Sequence, residues 1–174
     1  MKTLSDAFAA QAASDLDAYY LLARSTLPTC HRLHYLQMWL EKLCKAHLWF
    51  RAGTADDLRS KHGVVEKILP QLIKSHWRKI GFTQPPQIEA IRSLCREIDL
   101  LHPQVDDNGR RPDNVEYPWK GSLGNVETPA QWQFPLAQRL YTNPGRLLLK
   151  AAFVLTRNPK LFIPPQFLTR EDTR

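Results

Sequence analysis

A chain of 174 residues with 43% hydrophobic and 24% charged residues is long enough to bury one core without disulfides or a structural metal, and too apolar to stay disordered. Its three cysteines, Cys30, Cys44 and Cys95, have an odd count and no CxxC spacing, so they point to neither a disulfide framework nor a zinc site but to buried thiols in a reducing, cytoplasmic compartment. The net charge of +7 is concentrated, because residues 24–79 hold 11 Lys/Arg against 4 Asp/Glu while the rest holds 13 of each. Such a cluster attracts a polyanion, whether nucleic acid, an acidic partner or an anionic membrane surface, unless it is simply a solvated basic face. Neither an export signal nor a run of about 18 apolar residues is visible, so no membrane association is expected.

Apolar residues from Leu4 to Ala23 recur near the helical period and predict a first helix over 5–24, which Pro28 must end. A second helix runs from Thr29 to about Phe50, with Leu33, Leu36, Leu40, Leu43 and His47 on one stripe. Its apolar surface is the broadest in the chain, so it should be the central helix. Residues 63–79 read as an amphipathic helix with one strongly basic face, kinked or split at Pro70. Pro85-Pro86 set up a fourth helix through Leu101, with Ile91, Leu94, Cys95 and Ile98 inward, and Pro103 stops it. From Pro103 to Pro135, five prolines and three glycines without a period predict a long irregular segment. Its Tyr117, Trp119, Trp132 and Phe134 should pack it down. Asn143-Pro144 then opens a last helix to about Arg157. Short connections between amphipathic helices predict an all-α, antiparallel four- or five-helix bundle, a single domain with its core over about 5–157 and a tail over 158–174.

No glycine-rich phosphate loop, HExxH, GxSxG or carboxylate cluster with metal spacing occurs, so neither a cofactor nor a metal is indicated. Arg and His chemistry remains. Arg96 and His102 form the leading catalytic pair, because an imidazole moves protons near neutral pH and a guanidinium grips phosphate oxygens, which suffices for metal-independent RNA cleavage. On an ideal helix, however, six residues turn the chain by about 240 degrees net, so the two converge only if His102 folds back or if two subunits share the site. A surface arginine and a helix-terminal histidine is the bland alternative. Arg24 and His31 have similar spacing but flank Pro28, which marks a turn. His31, Arg32 and His34 start the second helix, where an anion site or a polar entry fits equally. His47 reads as a core histidine, and Trp39, Trp49 and Trp77 as core or interface residues. Candidate nucleic-acid contacts are Lys61 and His62 at a helix start, Lys74, Arg78 and Lys79 on the basic helix, and Arg110, Arg111 and Tyr117 in the irregular segment.

The run from His31 to Ala46, with Gln37, Glu41, Lys42, Lys45 and Ala46 in a Gln-x-x-x-Glu-Lys-x-x-Lys-Ala pattern, resembles the second helix of HEPN (higher eukaryotes and prokaryotes nucleotide-binding) domains. Asp17-Ala18-Tyr19-Tyr20-Leu21-Leu22 is similar to that family's first helix. Lys61-His62 leading to Val65 looks like its Thr-His-x-Leu helix start, and Glu116-Tyr117-Pro118-Trp119 like its Arg-Tyr-Pro segment. The resemblance spans roughly residues 14–157. It implies an antiparallel bundle that forms a homodimer and acts on RNA or a nucleotide, with the Arg-x(4-6)-His spacing of Arg96 and His102 lining a composite cleft. A toxin or defence role with a nucleotidyltransferase-like antitoxin partner follows from it, as does the alternative of a non-catalytic binding or scaffold module.

Overall fold

Thr3 opens the first helix with a reciprocal cap: its hydroxyl accepts the Asp6 N–H, and the Asp6 carboxylate accepts the Thr3 N–H. The computed structural model describes residues 3–48, 57–58, 60–105, 114–121 and 123–159. Helix α1 (Leu4–Leu22) ends before Pro28, and α2 (Thr29–Leu48) begins directly after it. Ser5 near the start of α1 donates to the Ala46 carbonyl near the end of α2, while Tyr19 meets Trp39, so the two run antiparallel. As expected, α2 is the central helix, with Leu33, Leu36, Trp39, Leu40 and Cys44 all buried.

Helix α3 (Val65–His76) carries Pro70 without being split. Pro70 is buried and lacks only one backbone donor. The helical path continues one turn further: Ile80 N–H donates to the His76 carbonyl, Phe82 N–H to Trp77 and Gly81 N–H to Arg78. Those last two bonds form a Schellman closure, which needs the positive φ of 87° at Gly81. Helix α4 (Ile88–Asp99) starts later than expected, with Gln87 as its cap. Pro86 disfavours helical backbone at Pro85, and Gln87 keeps a non-helical ψ of 88°.

Within the segment after α4, the described residues between 119 and 131 hold short regular elements. Antiparallel strands β1 (Trp119–Lys120) and β2 (Val126–Glu127) form a small hairpin that pairs Trp119 with Glu127, and Pro129–Gln131 makes a 3-10 turn. Trp119 and Phe134 are buried and Trp132 packs edge-on to Trp119, as anticipated. Tyr117 departs from expectation, being 55% exposed. The Asn114 side chain accepts the N–H groups of Glu116 and Tyr117, and this turn carries the tyrosine outward. A short helix α5 (Pro135–Arg139) precedes α6 (Asn143–Arg157), which is capped by the Thr142 hydroxyl. Helix α6 closes the bundle through Trp39 Nε1–H donating to Thr156 and an Arg157–Asp17 ion pair. The result is an all-α bundle. The tail reading over 158–174 falls almost wholly outside the described residues. No described helix is long and apolar enough to cross a membrane.

Candidate functional site

Helix α2 turns a polar line inward from its most buried region. Gln37, Glu41 and Lys45 stand four residues apart, so they share one face. Gln37 Nε2–H donates to Glu41 Oε2 at 2.8 Å, and Lys45 Nζ–H to Glu41 Oε1 at 2.7 Å. Glu41 and Lys45 are each only 2% exposed. Burial by itself would raise the Glu41 carboxyl, but the hydrogen bond and charge of Lys45, with help from Lys42 and His62, outweigh it and hold the group below its ordinary value.

His62 connects this buried line to the surface. Its Nδ1 lies 3.3 Å from Glu41 Oε2, and its ring stacks on His102 with centroids 3.9 Å apart and 18° between planes. His102 reaches it because the chain turns back after α4. Leu100 N–H bonds to the Arg96 carbonyl, Leu101 N–H to Ile98, His102 N–H to Asp99 and Val105 N–H to His102. His102 thus leaves the path of α4 and meets His62 of the same chain. Gln104 N–H donates to His102 Nδ1 at 3.2 Å, so the neutral ring carries its proton on Nε2. Burial, reinforced by the adjacent His62, pushes His102 down to about 4.

A pocket of about 680 Å³ opens in front of His62, with Arg96 and Lys67 on its walls and Asp99 in its lining. Asp99 is buried and accepts the Val65 N–H at 3.1 Å and the Glu66 N–H at 2.8 Å. A residue at the end of α4 thus caps α3, and burial raises its carboxyl to about 6 despite both bonds. Arg96 is exposed at the pocket, whereas its neighbour Glu97 pairs with Arg139 of α5. Among the described residues, no group of three or more His, Cys, Asp or Glu is arranged to hold a metal ion.

Of the residues singled out in the sequence, His62 and Arg96 line this pocket, and His102 stacks on His62 without lining it. Lys61, Lys74, Arg78 and Lys79 are exposed but do not line it, nor does Tyr117. Arg110 and Arg111 lie outside the described residues. At the entry of α2, His34 faces Glu116 at 3.5 Å and Arg32 donates to the Tyr141 hydroxyl, a polar entry rather than an open anion site. Burial drives His47 down to about 4, as suits a core histidine. Chemistry-based reading of the sequence missed Glu41, Lys45, Lys67 and Asp99. For Glu41 and Lys45 the one visible signal was charge recurring four residues apart within the central helix.

The fold and pocket define a small all-α bundle with an imidazole pair backed by a buried carboxylate. Neither protein-family models, nor curated proteins, nor solved structures provide a match to the chain.

Proposed function

We propose that this is a HEPN-like RNA-acting protein whose pocket cleaves phosphodiesters without a metal. The observation that carries the reading is His62, which stacks on His102, is tied to Glu41 and lines the pocket that Arg96 borders. With its Nδ1–H held by Glu41, His62 presents Nε2 as a base toward the pocket. That nitrogen takes the proton of a ribose 2′-hydroxyl as its oxygen bonds to phosphorus. The bond from phosphorus to the 5′-oxygen breaks, and the same imidazolium protonates the leaving oxygen. Products are a 2′,3′-cyclic phosphate and a 5′-hydroxyl. Arg96 neutralises a phosphate oxygen, and the His102 Nε2–H serves as a second, uncharged donor. The role of base thus moves from His102 to His62, because the Nδ1 of His102 is already engaged by Gln104. Within this reading the chain is a cytoplasmic homodimer and a toxin or defence component, with a nucleotidyltransferase-like antitoxin as its protein partner.

The test is cleavage of a single-stranded RNA in excess chelator. His62→Ala and Arg96→Ala should each lower the rate by about 100-fold or more, and His102→Ala by less. Wild-type rates in both His62→Ala and Arg96→Ala would overturn the reading.

A further inference from the structure

The outer face of α3 continues from the pocket. Lys67, Gln71, Lys74 and Arg78 are separated by four, three and four residues, which keeps all four within an arc of about 60 degrees. They are all exposed, and the helical turn beyond His76 keeps Arg78 in line with the others. Lys67 also borders the pocket that contains His62 and Arg96. One end of the row is therefore at the site, and the other lies about 16 Å away along the helix axis. None of the fully exposed positions of α3 is acidic. The Arg78 guanidinium lies 4.9 Å over the Trp77 ring, which holds its planar fork outward. Lys79 stands about 100 degrees away around the helix and is not part of the row.

We infer that this row is a phosphate track that leads a single RNA strand into the pocket. The inference rests on the RNA-acting reading and adds the path the substrate takes. A row one residue wide, with cations at helical spacing, complements a linear polyanion. A membrane-docking helix would present large apolar side chains beside its lysines. None of the exposed large hydrophobic residues lies on α3; Ile68, Leu72 and Trp77 are turned against the core. The same absence speaks against an acidic protein partner, whose binding would need a desolvated apolar centre.

The experiment uses a labelled 2′-O-methyl oligouridine, which has no attacking hydroxyl and so separates binding from cleavage. Binding is titrated by fluorescence anisotropy across a range of salt concentrations. The Lys67→Gln/Lys74→Gln/Arg78→Gln variant should bind with a log K against log salt slope shallower by about 2, and on the order of 10- to 100-fold more weakly near physiological salt. Each single variant should remove about one third of that slope change, which guards against a misfolded triple variant; circular dichroism checks helicity. If the wild type cleaves no RNA but binds through the row, the catalytic reading fails and the track stands. If the triple variant binds the oligonucleotide as tightly and with the same slope as the wild type, the track is overturned even where cleavage persists. Phosphatidylserine vesicles form the last arm: capture that depends on Lys67, Lys74 and Arg78, without oligonucleotide binding, also overturns it.

Discussion

Glu41 joins a buried ion pair to the His62 imidazole. Its carboxylate is buried, accepts from Gln37 and Lys45 and faces His62. A buried ion pair gains little over a well-packed apolar pair, but breaking it strands a charge, which costs about 3–5 kcal/mol. Lys45→Met should therefore lower the unfolding free energy by an amount in that range in urea titrations. The double variant Glu41→Gln/Lys45→Met should recover most of the loss, because no lone charge is left inside. No recovery would mean that packing, rather than charge pairing, dominates there. The three cysteines sit at the opposite extreme. All are buried and free, and burial raises the Cys30 and Cys44 thiols, which makes them poor nucleophiles.

At the scale of elements, the corner between α5 and α6 depends on one close approach. A Cβ on Gly145 would come within 2.4 Å of the Arg139 carbonyl oxygen and 2.6 Å of Leu140 Cα, both of them backbone atoms. Helix propensity alone favours alanine over glycine by about 1 kcal/mol. The collision should outweigh that gain, since overpacking against atoms that cannot rotate away costs about 1–3 kcal/mol or more. Gly145→Ala is thus expected to lower the melting temperature, and a rise would show that α6 can shift away from the corner. Helix α5 was not legible in the sequence for a related reason. Five residues are too few to display a period, and only Pro135 at its first turn hinted at a helix. The boundary of α3 with its pocket was hidden as well, because its cap, Asp99, comes from another helix.

Across the whole molecule, pH sensitivity follows from groups distributed through the bundle. His47 and His102 are both lowered from 6.5 to about 4. A depressed histidine contributes stability that is present above its unfolded value and lost as pH falls through the folded one. Both therefore weaken the fold on acidification from about 6.5 to 4. Asp99 acts in the opposite sense: raised from 3.8 to about 6, it contributes most below 3.8 and loses that contribution as pH rises through 6. The lowered Glu41 carboxyl adds a further loss below the ordinary carboxylate range. Two histidines outweigh one aspartate, so the melting temperature should fall between pH 6.5 and 4. His47, which is buried, accounts for about 2–3 kcal/mol of this. The His47→Asn variant should show a visibly flatter decline, and an unchanged decline would move the sensitivity elsewhere.

The five longer helices, their order and the central place of α2 could be read from the sequence, because burial of an apolar stripe is a local pattern repeated every turn. Pro28 and Pro103 marked breaks for the same local reason. Candidate chemistry was legible only as residue types and spacing: Arg96 and His102 were noticed as a pair, and His62 apart from them. Bringing them together required the turn after Asp99, which sets His102 against His62, and the packing of α3 on α4, which places Lys67 and Arg96 around one pocket. Residues 41, 62 and 102 are distant in the chain, and no periodicity encodes contacts of that range. Only the tertiary structure made a buried carboxylate, two imidazoles and a guanidinium into one site.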